Sequence, residues 1–192
     1  MFLSHEKIFE EIVKRFVELK DTSELMLDLA YSALLLDSKE LAEEVQKLEQ
    51  YVDKLHTDFE LLVLSSGFQK DEAKGLLGLI RLGVAAEKIA DAAAEMAEVV
   101  LRELEPHPVL KQTIKEAEET VTHVCVSENS PLVNKTLKEA RIPEETGLWV
   151  LAIRKGDKCI RPKPDSKIEA GDIIIASGYA EGVKDLKKLA AP

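Results

Sequence analysis

Two acidic pairs, Glu24/Asp28 and Glu87/Asp91, carry the first chemistry this sequence offers. Each has the form acid-x-x-x-acid. Four residues advance an α-helix by about 400°, so on a helix the two acids of a pair stand one turn apart on one face. Carboxylates so placed can grip one divalent cation, and pairs on neighbouring helices can build a multinuclear site. Gly83, Ala90, Ala94 and Ala97 recur around Glu87 and Asp91 at helical spacing, which puts that pair on a small-residue, core-facing stripe. Carboxylates there are costly unless a positive charge compensates them. Spacing alone is a weak sign in an acidic chain: Glu6/Glu10 and Glu40/Glu44 repeat it, as solvated helix faces do.

Other residues offer less. Asp53, His56 and Glu60 share a helix face, a set that suits a transition metal and equally a solvated surface beside Lys54. His107 lies between two prolines and reads as a linker residue. His123 and Cys125 share one side of a strand, with His123 expected to be partly buried. The two cysteines, Cys125 and Cys159, match no metal spacing and are expected to be buried thiols in strands. Arg154, Lys155, Lys158, Arg161 and Lys163 form a basic run across a hairpin, suited to a phosphate-bearing ligand, to an acidic surface or to plain solvation. Enzyme motifs are missing: there is no G-x-S-x-G, P-loop or H-E-x-x-H. Gly75, Gly78 and Gly83 sit at helical packing spacings and form no dinucleotide fingerprint. A protein that is not an enzyme and uses no NAD is expected. A metalloenzyme would also need an open coordination position and a general base near the acids.

Positioning these residues takes elements of two kinds. Phe9, Ile12, Val13, Phe16, Met26, Leu27, Ala30 and Leu34 recur at helical steps, predicting a helix from an N-cap at Ser4 to Leu36. Asp37-x-x-Glu40 resembles a capping box for a second helix, which Leu41, Val45, Leu48, Val52, Leu55, Phe59 and Leu62 continue until Gly67 closes it. A third helix is expected from near Asp71 to about Leu104, before Pro106 and Pro108. Helices this long with short turns must pack as an antiparallel bundle. Val109 to Thr120 reads as a short connecting helix. Strands are predicted at 121–127, 148–154, 158–162 and 173–177, a helix from Ser130-Pro131 to Ala140, and a closing helix from Ala180 to Ala190. The expected class is therefore α+β: a three-helix bundle over residues 1–108, a linker over 109–120 and a small βαβββα unit over 121–192.

Charge divides the chain the same way. Its net charge of −10 splits into 14 basic against 26 acidic residues over 1–120, and 12 against 10 over 121–192. The bundle should repel nucleic acid and attract cations. Hydrophobic residues make up 45% of the chain, enough for a core, yet no apolar run could span a bilayer and no basic-then-apolar leader is present. A soluble cytoplasmic protein is the expectation.

The stretch Ala85-Ala-Glu-Lys-Ile-Ala-Asp-Ala-Ala-Ala-Glu95 resembles the signature helix of PhoU-like domains. That family repeats E-x-x-x-D on three-helix bundles, and several members bind multinuclear iron, zinc or nickel. Glu87/Asp91 matches one motif and Glu24-Leu-Met-Leu-Asp28 the other. The resemblance implies that Glu24, Asp28, Glu87 and Asp91 are ligands of a divalent or transition metal ion. Full-length PhoU has two such bundles, and this chain has length for one.

Residues 121–190 resemble the C-terminal TrkA domain, the RCK-C module of potassium transport regulators. The likeness rests on Ser130-Pro-Leu-Val-Asn-Lys-Thr-Leu-Lys-Glu-Ala140, Gly147-Leu-Trp-Val-Leu-Ala-Ile-Arg-Lys-Gly156, Pro162 and Gly171-Asp-Ile-Ile-Ile-Ala-Ser-Gly178. Asn134 stands where the family usually has Gly. Such modules usually dimerise, and some bind small effectors such as cyclic di-AMP at the dimer interface. The neighbouring Rossmann half of that family is absent. Together the resemblances imply a regulatory accessory of cation, and specifically potassium, transport. It would be a homodimer peripheral to a membrane channel or transporter subunit, with a small effector at the C-terminal domain and no nucleic acid. The alternative is a regulator of phosphate transport or signalling, as PhoU is.

Overall fold

The computed structural model describes residues 5–66, 73–102, 108–109, 112, 116 and 119–192. Three long helices come first: α1 (His5–Leu36), α2 (Lys39–Ser65) and α3 (Ala73–Leu101). After them follow β1 (Glu119–Cys125), α4 (Leu137–Ala140), α5 (Ile142–Thr146), β2 (Leu148–Lys155), β3 (Lys158–Ile160), β4 (Ile173–Tyr179) and α6 (Gly182–Ala190). The α+β reading, a bundle followed by a small sheet with helices, holds. Among the described residues, no helix is long and apolar enough to cross a membrane.

The bundle forms because each helix has one stripe to bury. Leu19, Met26, Leu29, Val45, Val52 and Phe59 are almost fully buried, and the Phe16 and Phe59 rings meet at 5.6 Å. The buried stripe of α3 is Gly83, Ala86, Ala90, Ala93 and Ala97. Ala94 is only half-buried, so the small-residue stripe is rotated slightly from the one expected. α2 runs antiparallel to α3: Gln46 Nε2 donates to the Ala94 carbonyl at 2.9 Å, while Phe59 faces Gly83. Small residues on α3 let the backbones approach closely. The end of the bundle near Phe9 is less well covered. An apolar groove of about 390 Å³ opens there between α1 and α3, and Phe9 is 62% exposed.

Two starts differ from expectation. α1 ends as Asp37 enters the left-handed region (φ 50°), and the cap of α2 is Ser38, whose hydroxyl accepts from the Leu41 amide. A residue already turning the chain cannot also cap, so the box anchored on Asp37 does not form. Likewise Ser130-Pro131 opens a turn, with the Ser130 hydroxyl accepting from the Leu132 amide at 3.1 Å. The helix starts only at Leu137, because Asn134 takes φ 68° and interrupts any run from Pro131. Asn is among the few side chains that tolerate this conformation, which fits its place where the resembling family has Gly. Thr136 and Glu139 then close a reciprocal capping box. The expected Ser4 cap, Gly67 stop, Asp71 start and His107 lie outside the described residues, as does most of the 109–120 connector.

The sheet has the order β1-β4-β2-β3, all antiparallel. One face packs on α4 to α6 through Val124, Leu148, Ile174, Ala176 and Leu186. The opposite face contributes Val121, Ala152, Cys159 and Ile175 to the core of the bundle. Hence the alternation of β1 and β4 is buried on both sides. His123 and Cys125 fall on the bundle side but are exposed, contrary to the partly buried histidine and buried thiol expected. His123 lines a small pocket with Leu36, Ser38, Glu40 and Leu41 at the α1–α2 turn. Asp172 is buried, bonded by Lys155 Nζ at 2.7 Å and by the Glu169 amide at 2.8 Å, and so fixes the turn into β4.

Glycines on α3 give a direct check of this packing. A Cβ at Gly83 would lie 2.7 Å from Phe59 Cε1, whereas one at Gly78 would meet nothing within 4 Å. Gly83→Ala is expected to lower unfolding stability by about 1–3 kcal/mol. Gly78→Ala is expected to raise it by about 0.5–1 kcal/mol through helix propensity alone. Urea unfolding of both variants measures the difference; equal effects would contradict the close approach.

Candidate functional site

The acids of α1 have a cationic neighbour. Lys20 Nζ bonds Glu24 Oε1 at 2.9 Å, and Arg161, just past β3, sets its Nη1 against Glu24 Oε2. That Nη1 is buried. Arg161 Nε also lies 3.8 Å from Asp21 Oδ1, and Lys163 Nζ lies 3.8 Å from Asp21 Oδ2. On α2, Arg154 pairs with Glu40, and the Cys159 amide reaches Glu44 Oε1 at 3.5 Å. The basic run thus meets an acidic surface, and that surface belongs to the same chain. Arg154, Arg161 and Lys163 make these contacts, whereas Lys155 is turned to Glu169 and Asp172.

These pairs shift the protonation of their members. The Lys20 hydrogen bond, with Arg161 assisting, holds the Glu24 carboxyl below its ordinary value. The Arg154 hydrogen bond does the same for Glu40. Asp28, half-buried, is pushed up by desolvation against the pull of Arg161. Burial lifts the Cys159 thiol to about 11, which leaves it protonated and unreactive while covered.

The second pair is placed differently. Asp91 stands with Glu49 and Asp53 of α2, where one oxygen from each lies within 4.8 Å of the others. Glu87 is half-buried one turn earlier on α3. Among the described residues this trio is the one group of three acids that can reach a single ion, and it does not include Glu24, Asp28 or Glu87. Burial, then the charges of Asp53 and Asp91, push the Glu49 carboxyl up, the behaviour of like charges gathered without a counter-ion. Three carboxylates form an oxygen donor set, which suits a hard divalent ion. Glu49 was missed on the sequence, although Glu49-Gln-Tyr-Val-Asp53 has the same acid-x-x-x-acid spacing as the two pairs singled out. Asp53 therefore does not join His56 and Glu60. Those two pair with each other at 3.5 Å, His56 lying against Gly83.

A groove of about 360 Å³ opens on the sheet unit. Leu137, Ile142 and Val150 form its apolar floor, Pro143, Pro162 and Pro164 its flat walls, and Lys138, Arg141, Lys163 and Trp149 its rim. It exists because β3 pairs with β2 only over Ile153–Lys155, leaving the Leu148–Leu151 end of β2 without a neighbour on that side. Trp149 there is 68% exposed. Arg141, joining α4 to α5, is held at φ 48°, a costly conformation for a long side chain. Glu144 also lines the groove and pairs with Arg141 at 3.7 Å. Indole and proline faces beside Lys138, Lys163 and a partly neutralised Arg141 suit a ligand with flat rings and negative charge.

Comparison with known proteins follows this division. Residues 16–100 match the PhoU domain, and residues 121–191 match the TrkA-C domain. Potassium channel protein 1 of Methanocaldococcus jannaschii is 47% identical over 64 residues, covering 33% of this chain and 19% of that protein. The chain thus spans about a fifth of that relative's length. Among solved structures, the RCK_C domain dimer of S. agalactiae BusR with c-di-AMP is 31% identical over 36% of this chain and 92% of that one, at a TM-score of 0.35. S. agalactiae BusR in complex with its busA-promotor DNA is 21% identical over 75% of this chain and 65% of that one, at 0.36. Nucleic acid, not expected here, is thus a ligand of that protein.

The charged contacts predict an acid limb of stability. Glu24 and Glu40 have folded values below the ordinary 4.5, so their stabilisation is complete above that value and is lost as pH falls through the depressed values. Asp28, raised above 3.8, acts in the opposite sense and offsets part of the loss. The thermal unfolding temperature should therefore fall on acidification below pH 4.5, and Glu40→Gln should flatten that limb. A variant with an unchanged pH profile would show that the Arg154 contact contributes nothing.

Proposed function

We propose that this chain, a PhoU domain joined to a TrkA-C domain, is a regulatory accessory of potassium transport that reads an anionic effector. What carries the reading is the match of residues 121–191, which include the Trp149 groove, to the TrkA-C domain, beside 47% identity over 64 residues to a potassium channel protein. The effector lays a flat ring against Trp149 and the prolines, and Lys138, Arg141 and Lys163 take its negative charge. A second copy completes the site across the uncovered end of β2, so that occupancy and dimer geometry are linked. A membrane transporter subunit then reads the dimer.

Trp149 is the single tryptophan of the chain, so its fluorescence reports the groove directly. Cyclic di-AMP, the effector class the resemblance implies, is expected to change that fluorescence in a saturable way. Arg141→Ala should weaken binding about tenfold, the worth of a charge-assisted contact. Light scattering should give a dimer in the bound state. A spectrum unmoved by the dinucleotide, with a monomer throughout, would sink this reading.

Glu24, Asp28, Glu87 and Asp91 enter as the candidate metal ligands. Asp91 has oxygen partners on α2, whereas Glu24 already has Lys20 and Arg161. A divalent ion is therefore proposed to load at Asp91 with Glu49 and Asp53. Calorimetric titration with Mn²⁺ should show heat that Asp91→Asn abolishes and Glu24→Gln leaves intact. The reverse pattern would move the ion to α1, and no heat at all would remove the metal.

The match to PhoU favours a second reading, a regulator of phosphate transport or signalling. Affinity purification separates the two: a potassium channel subunit in the eluate supports the first, a histidine kinase the second.

A further inference from the structure

The segment 161–164 belongs to two sites at once. Arg161 and Lys163 face Asp21 and Glu24 on α1, while Pro162, Lys163 and Pro164 wall the Trp149 groove. Lys163 is the residue common to both. Its pair with Asp21 spans 3.8 Å and its side chain is 62% exposed, so this bond is loose and readily exchanged for another anion. The apolar contact behind it is small: Val121, Ala152, Cys159 and Ile175 are the buried side chains that the sheet lends to the bundle core. Contacts of modest area with a polar rim are the kind across which domains move.

We propose that segment 161–164 is a latch: an anion seated in the groove takes Lys163 from Asp21 and loosens the hold of the β2–β3 hairpin on α1 and α2. The proposal rests on the reading of the groove as an effector site. It also gives Glu24 a role of its own. Arg161 joins Lys20 as a counter-cation of Glu24 and also faces Asp21, so Glu24 and Asp21 form the socket of the latch. Linkage makes the effect reciprocal, and whatever breaks the socket must raise affinity at the groove by the same factor.

Cys159 supplies the readout. It is buried where the sheet meets the bundle, and Cys125 is the one other thiol. In the full chain with Cys125→Ser, maleimide labelling of Cys159 therefore times the opening of the contact. Arg161→Ala is expected to speed labelling about fivefold. Saturating cyclic di-AMP should speed it comparably in the parent and add little in Arg161→Ala. Glu24→Gln, which removes the socket from the other side, should act as Arg161→Ala does, with far-ultraviolet circular dichroism showing both variants folded. Labelling unchanged in both variants overturns the latch. So does a dinucleotide that shifts Trp149 fluorescence while Cys159 stays protected, and in that case the groove reading survives. A dinucleotide that leaves Trp149 unmoved removes the groove reading and the latch with it.

Discussion

The contact between the basic hairpin and the acidic faces of α1 and α2 is the interaction on which the rest depends. It joins a bundle that is rich in acid to a sheet unit with a slight excess of base. Burial of Val121, Ala152, Cys159 and Ile175 supplies the attraction, which is apolar and has no preferred direction. Arg154 on Glu40 and Arg161 on Glu24 and Asp21 supply the register, because a guanidinium fork meets carboxylates in a directed way. Exposed charge pairs add little to stability, so their contribution here is placement. Placement decides the site: the groove wall at Pro162 to Pro164 leaves the sheet where Arg161 is pinned.

Most of the fold was legible because its signals are periodic. The three helices and all four strands follow from apolar repeats of helical or alternating period, and these survive any detail of packing. Errors fell where one residue had to choose between two local roles. Asp37 had the chemistry of a cap but was needed for the turn, and Ser130 had the chemistry of a helix start but was followed by Asn134 in a left-handed conformation. Such choices depend on backbone geometry that residue type only biases.

The candidate site was legible in its parts and not in its pairing. The acid pairs and the basic run were each visible, but sequence says nothing of which meets which. That Arg161 meets Glu24 depends on the register of a short hairpin against a helix more than 130 positions earlier. Asp53 was visible only as a partner of His56 and Glu60, and Glu49 was missed because its setting is polar, with Gln50 and Tyr51 beside it, rather than a small-residue stripe. The Trp149 groove had no signature at all. It is produced by the shortness of β3, an absence of pairing rather than a presence of residues.

An acid pair on a bundle can be neutralised by a free ion or by a tethered guanidinium, and the two are not equivalent. A tethered group competes at an effective concentration set by its linker, in the millimolar range or above for short connections. An ion faces that competitor at Glu24, whereas among the described residues the close neighbours of Asp91, Glu49 and Asp53, are themselves acids. The same spacing on two helices therefore has two chemistries. On α1 Glu24 has Lys20 and Arg161 against it; on α3 Asp91 has the acids of α2 beside it. The bundle and the sheet unit are thereby coupled by electrostatics as well as by the apolar contact between them. Any cation that prefers the α1 pair must first displace Arg161, and so must move the hairpin that carries it.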